Sequence, residues 1–546
     1  MALFIDLFGF LSLLLRAVTL GSQSLAIGGI LFTLAIGRPI CGIYPMCGEA
    51  VLRSSRRMIV SSALVLAFAQ TAMVSINAVI LKVTADFQLA EVAGANFFLS
   101  GLIIFLAALG IAFLVRYPFH QVWTGLLGLS ACILGASIMT SHAASRVGNR
   151  FPLLLATALH QAATASWIGG LPYLLMALRR CSPGGAIQMI GARFSKTALI
   201  SVAVLASAGL GMSLFYFDSL NAIFGTAYGV MMTSKVLLFG GLLLLGGLNF
   251  YTVRRLRSDE TTATARLCCF VEAEIGIGVA VILAAATLTS VPPARDLAVG
   301  RVSVAEIKER MKPHWPRLSS PGAAELSPPT LPALKKAVAS GVPLSYIPGG
   351  AAAYPSTPAD IAWSEYNHHW SGLLVLAIGV MALAWRTGHA PWARHWPLLF
   401  LGLAVFLFFR SDPENWPLGG NGFFESFGTS EVAQHRLMVI MIIAFGLFEW
   451  GVRTERIDSH RAALFFPLVC GLGGAILLTH THSLGNVKQE LLIELTHIPI
   501  ALLGITAGWM RWLELRLPPL DRKIPSRIWP ICFVLIGLCL LLYRES

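Results

Sequence analysis

Thirteen histidines are spread over 546 residues, and several fall at spacings that could hold a soft metal ion. His435-x-x-Met438-x-x-Met441 sets an imidazole and two thioethers roughly along one side of a helix, where residues three to four apart are neighbours. Imidazole with thioether suits Cu(I), although methionine also fills gaps in apolar cores. His480-Thr-His482 is followed by His497, and three ionisable rings near one membrane face point to a metal or cofactor. Glu490, Glu494 and His497 fall at i, i+4 and i+7 and share a face. Glu494-Leu-Thr-His497 also has the Glu-x-x-His spacing of di-metal carboxylate bundles. The plain alternative is an acidic first turn favoured by the helix dipole, which accounts for Glu490 better than for Glu494. His368 and His369 are followed by Trp370, whose ring face attracts cations and whose type also anchors helices at membrane interfaces. Earlier in the chain, Met139, His142 and His160 bracket a short connection, and Trp167 lies two turns beyond His160. One helical histidine is usually a satisfied core residue; two with a methionine at one edge suit copper. Cys41-Gly-Ile-Tyr-Pro-Met46-Cys47 offers two thiols and a thioether, with bystander loop cysteines as the alternative. Glu272 and Glu274 read as a proton or ion step or as interfacial carboxylates. The candidate ligands are thus His142, His160, His368, His369, His435, Met438, His480, His482, Glu494 and His497. No catalytic residue is read.

The chain that must hold them is 56% hydrophobic and 12% charged. A soluble domain carries about 25% charged residues, so neither a soluble globule nor a disordered chain fits. About 14 apolar stretches reach spanning length: 10–36, 58–82, 95–115, 121–141, 152–178, 195–217, 228–252, 267–290, 366–386, 393–409, 431–452, 461–481, 490–512 and 527–543. Lipid leaves helices as the way to satisfy the backbone, and strand-like alternation is absent. The fold class is therefore all-α, a polytopic helical membrane protein in two blocks, 1–290 and 366–546. Between them, residues 291–365 are polar and Pro-rich, with a short charged helix expected over Ser303–Lys312.

Net charge is +13, and the basic residues sit in alternate loops: Arg38, Arg53, Arg56 and Arg57; Arg179, Arg180, Arg193 and Lys196; Arg254, Arg255, Arg257 and Arg266; and Arg511, Arg516, Arg522, Lys523 and Arg527. Loops of the other parity are neutral or acidic, with Arg146 and Arg150 the exception. The bias places both chain ends and the long loop outside, in the periplasm of a Gram-negative host. All the candidate histidines then lie near the outer face. Asp6 and the lack of an early Lys or Arg argue against a cleaved signal peptide. No CxxC or CxxCH occurs among the nine cysteines, and no structural disulfide is expected without a cysteine in an outer loop. No GxxxxGK[ST] motif provides for ATP hydrolysis. Ser24–Phe32 and Ala165–Tyr173 share an Ile-Gly-Gly stretch whose small residues allow close helix contact.

Particular stretches resemble the copper resistance protein D family: Leu159-His-Gln-Ala-Ala-Thr-Ala-Ser-Trp-Ile-Gly-Gly-Leu-Pro172, Arg193-Phe-Ser-Lys-Thr-Ala-Leu199, Gly225-Thr-Ala-Tyr-Gly229 with Lys235, Leu248-Asn249, Val271-Glu272 and Leu288-Thr-Ser-Val-Pro-Pro293. They cover about 140–295 in order, and the second block is similar to the extra membrane half of long members. The resemblance implies copper handling at the bacterial inner membrane, inward from the periplasm, with His142, His160 and Trp167 at motif positions and delivery by a periplasmic copper-binding protein. The sequence departs from the family in its first span, where a histidine near Thr19 to Gln23 is missing, which shifts weight to the second-block histidines. The competing expectation is a membrane redox protein, with b-type haem between two histidines or a metal pair at Glu494 and His497. A third is a scaffold subunit whose histidines line an interface.

Overall fold

The structure is a computed structural model that describes residues 2–85, 87–146, 148–181, 184–255, 260–297, 300–322, 325–326, 358–412, 415–420, 422–424, 427, 430–479 and 487–545. Among these there is no strand. The chain divides by its contacts into two units, Leu7–Val299 and Gly300–Ser546 with Met1–Asp6.

The first unit runs through α1 (Ala2–Phe32), a π-helical turn (Thr33–Gly37), α2 (Arg38–Ile43), α3 (Pro45–Ala85), α4 (Leu89–Gly94), α5 (Asn96–Leu114), α6 (Phe119–Met139), α7 (His142–Ser145), α8 (Arg150–Trp167), α9 (Leu171–Arg180), α10 (Gly185–Tyr216), α11 (Asn221–Gly225), α12 (Ala227–Arg255) and α13 (Glu260–Leu288). The second contains α14 (Val304–Arg310), α15 (Pro358–Arg386), a 3-10 helix (Pro391–Leu398), α16 (Leu399–Arg410), α17 (Ser430–Arg453), α18 (Phe465–Leu477), α19 (Val487–Arg516) and α20 (Lys523–Leu541).

Twelve helices among the described residues are long and apolar enough to cross a membrane, so the chain is an all-α, multi-pass membrane protein. Two expected stretches fall short of unbroken spans. Residues 152–178 split into α8 and α9 at Ile168–Gly170, with Pro172 in the first turn of α9. Glycine is a poor helix residue and proline suits a helix start, so the chain breaks there. The stretch 461–481 is the 13-residue α18.

The break positions α1. A Cβ on Gly169 would lie 2.0 Å from the Ser24 carbonyl oxygen, and one on Gly28 2.3 Å from that of Ala165. The two Ile-Gly-Gly stretches therefore cross in backbone contact, which small residues permit. In the second unit α15 and α20 meet in the same way: a Cβ on Gly537 would lie 2.5 Å from the Leu376 nitrogen. Around that crossing Trp396, Phe466 and Trp529 are fully buried.

The expected helix at 303–312 is α14, capped by Ser303, whose hydroxyl accepts from the Glu306 amide. It begins a strap, residues 300–320, across one end of the second unit. Lys488 meets Glu306 at 3.0 Å, Arg310 donates to the Arg544 carbonyl and Trp370 donates to the Leu318 carbonyl. Ser303, its hydroxyl and Lys488 hold the Glu306 carboxyl down at about 2, so this tie stays charged well below neutral pH.

Candidate metal centre

At the strapped end of the second unit, His368 of α15 and His497 of α19 meet edge to face, ring centroids 5.7 Å apart. Tyr543 stacks on His368 at 3.9 Å and touches His497 at 5.7 Å. Each imidazole turns Nδ1 back onto its own helix: His368 to the Ser364 carbonyl and His497 to the Ile493 carbonyl, both 2.8 Å. A carbonyl only accepts, so Nδ1 carries the proton and Nε2 of a neutral ring keeps the lone pair. This is the arrangement by which a backbone carbonyl orients a metal-binding histidine. The two rings and Tyr543 are in mutual contact, which leaves no macrocycle-wide slot between the imidazoles, so this trio does not fit a haem. A cavity of about 320 Å³ beside it is lined by His314, Arg317, Glu365, His369, Tyr543 and Arg544, among others.

His369, expected as a ligand, is a strut instead. It is 4% exposed. Its Nδ1 accepts from the Arg317 amide at 2.7 Å and its Nε2 donates to the Tyr543 carbonyl at 2.8 Å. Both nitrogens are used, so no lone pair remains for a metal. His435 of α17 points Nδ1 at Asp412, 2.7 Å away. The expected thioethers do not join it as core groups, since Met438 and Met441 are 59% and 57% exposed on a spanning helix. Glu494 lies one turn before His497 on α19, half-buried. His480 and His482 lie outside the described residues.

In the first unit, α1 presents Arg16, Thr19 and Gln23 at i, i+3 and i+7, one face of the helix. Arg16 donates to the Thr289 carbonyl at 3.0 Å, and Gln23 donates to Gln161 at 3.3 Å. His142 bonds the Leu288 carbonyl next to Thr289. Burial holds His142 below the ordinary imidazole range, with the Leu288 bond opposing that and the Arg16 charge adding to it. It therefore stays neutral near pH 7, as a metal ligand must. His160 on α8 packs against Gly209 of α10 and lies within reach of the Lys235 charge on α12. Four buried atoms of these residues have no hydrogen-bond partner: Thr19 Oγ1, Gln23 Oε1, His142 Nε2 and His160 Nδ1. Buried polar atoms are normally paired, so this group is suited to a ligand.

Beyond His160, Trp167 packs on Phe239 of α12, and Asn249 donates to Glu274 at 2.5 Å. Glu272 takes Arg179 at 2.5 Å, so these two carboxylates of α13 are partnered inside the unit. At that same end Cys47 and Cys181 form a disulfide, contrary to the expectation that none would form. That expectation considered outer loops alone. Among the described residues no three His, Cys, Asp or Glu side chains converge on one point.

Sequence reasoning missed Tyr543, Asp412 and an arginine cluster at the other end of the second unit. There Arg511 and Arg386 flank Glu514, Trp529 Nε1 donates to Glu514 at 2.7 Å, and Arg453 pairs with Glu449 at 2.7 Å. No motif spacing links these residues; a count of charges inside apolar spans would have flagged Glu449, whereas Glu514 lies just past the 490–512 stretch.

The profile of the copper resistance protein D family matches residues 188–288, from α10 to the end of α13. That segment holds Lys235, Asn249 and Glu274; His142 and His160 precede it. The chain is also 32% identical over 181 residues to "Copper transport protein CutJ" of Bacillus subtilis (strain 168). The match covers 32% of this chain and 32% of that protein, about a third of each. No solved structure matches the chain. Over its α10–α13 segment the chain is similar to the copper resistance protein D family.

Proposed function

We propose that this protein is a copper transporter of the bacterial inner membrane, taking copper from the periplasmic side. The observation that carries the reading is the set of unpartnered buried atoms on His142, His160, Thr19 and Gln23. Two imidazole lone pairs with neutral oxygens suit copper better than a hard cation. The family match and the relative named for copper transport support the same cargo. In the second unit His368 and His497 offer a separate two-imidazole site, and the cavity beside Tyr543 is where a periplasmic copper-binding protein would hand over its metal.

Beyond His160, Trp167 of α8 leads to the buried Asn249 of α12 and Glu274 of α13, and then to the buried Glu272, whose partner Arg179 is exposed on α9. Ionisable groups inside spans mark ion pathways.

The test is copper content in cells carrying the wild type, His142→Ala, His160→Ala and the double variant at equal protein levels. We expect the double variant to fall to the level of cells lacking the protein. Unchanged copper content overturns the first-unit site. A Soret band in the purified protein would replace copper transport with the redox reading.

A further inference from the structure

We infer that Cys47 and Cys181, when reduced, form a two-thiolate Cu(I) site at the end of the first unit opposite His142. The proposal extends the copper reading above, naming where the cargo leaves.

The two cysteines are 134 residues apart in sequence, yet their Cα atoms lie 5.3 Å apart and their sulfurs are bonded. Cys47 is the third residue of α3, and Cys181 directly follows α9. The fold brings them together at the tight α2–α3 junction, where Tyr44 is the one residue between the helices. Tyr44 packs against Gly185 at the start of α10, and Gly48 admits the backbone of Cys41 against the first turn of α3.

The surroundings favour thiolates. Cys47 sits in the first turn of a 41-residue helix, where the dipole stabilises negative charge. Cys181 follows Arg179 and Arg180. The same end carries Arg38, Arg53 and Arg193, which the positive-inside rule assigns to the cytoplasm. Cytosolic thiols are kept reduced, so a cysteine pair there is metal-binding or redox-active rather than a structural staple. The disulfide is then the oxidised form of a site whose working form is the dithiol. Two thiolates held within disulfide reach suit Cu(I). Loading replaces the two thiol protons by one Cu(I), leaving a bis-thiolate anion and releasing two protons, with no change in copper oxidation state. Met46, 92% exposed beside Cys47, places a thioether on the solvent side of the pair.

Detergent-purified full-length protein is reduced, or cross-linked with diamide, and each form is titrated with Cu(I) against bicinchoninate. The reduced form should take up one equivalent more than the disulfide form. Cys47→Ser and Cys181→Ser should each lose that equivalent, whereas Cys41→Ser keeps it. Equal uptake by reduced and disulfide forms overturns the site, as does full uptake by either serine variant. A variant that folds poorly is bypassed by the oxidised wild type, which tests the same sulfurs without mutation. Non-reducing peptide mapping should also recover a Cys47–Cys181 linked peptide after diamide, and its absence overturns the pairing. The histidine variants separate the two readings. If His142→Ala with His160→Ala leaves copper content unchanged while the thiol-dependent equivalent persists, the histidine route fails and the thiolate site stands.

Discussion

His368 and His369 are neighbours in sequence and the same residue type, but the helix turns them to different work. His369 uses both ring nitrogens on backbone groups of the strap and of Tyr543. Replacing it leaves a buried amide and a buried carbonyl unpaired, which costs about 1–3 kcal/mol for each such group. His368 commits only Nδ1, to the Ser364 carbonyl, and stacks on Tyr543. His369→Ala should therefore lower the thermal unfolding midpoint in detergent while copper bound per folded molecule stays the same. His368→Ala should leave the midpoint near wild type and reduce bound copper. Calorimetry with elemental analysis on both variants decides the matter, and the reverse pattern would make His369 the ligand. The pair also shows where sequence reading stops. Residue type and membrane depth single out both histidines; the partner that consumes a lone pair comes from residues 52 and 174 positions away.

At the scale of elements, the α1 crossing does the positioning. Thr19 and Gln23 face the His142 end only because α1 lies in backbone contact with the α8–α9 break. That contact needs hydrogen at Gly28 and Gly169 in place of a side chain, since an added Cβ would sit inside van der Waals distance of a carbonyl oxygen. The shared Ile-Gly-Gly stretch was legible in the sequence as a close-contact signal, and the histidine depth pattern as a metal signal. The break itself was not, because its flanks are apolar and read as one continuous span. Gly169→Ala should shift α1 by forcing the backbones apart, cutting both the folded fraction and copper uptake. Gly21→Ala is the control: a Cβ there meets nothing within 4 Å, so it should behave as wild type in fluorescence-detected gel filtration and in uptake. Equal behaviour of the two variants would remove the crossing from the argument.

Over the whole molecule, hydropathy made the all-helical class readable, because spans of about 20 apolar residues have no alternative structure in lipid. Ligand sets were harder to read, since lipid-facing and core-facing residues are equally apolar and the sequence does not separate Met438 from a core methionine. Charge supplies the remaining information. In the first unit the end bearing Cys47 and Cys181 carries Arg38, Arg53, Arg179, Arg180 and Arg193. In the second, the end opposite His368 and His497 carries Arg453, Arg511, Arg516, Arg522 and Lys523. In each unit, taken alone, the short loops at this end are basic, and short basic loops are retained in the cytoplasm. The histidine ends of both units should then face the periplasm, as uptake from that side requires. Single cysteines on an otherwise cysteine-free chain test this with a membrane-impermeant maleimide. Trp315→Cys in the strap, a site 97% exposed, should label in spheroplasts. Arg522→Cys, and native Cys47 restored alone, should label only in inverted vesicles. Labelling of Trp315→Cys from the cytoplasmic side would reverse the orientation of the second unit, and labelling of Cys47 from outside would reverse that of the first. Either result would turn the proposed thiolate exit or histidine acceptor toward the wrong compartment, and copper would have to travel the other way.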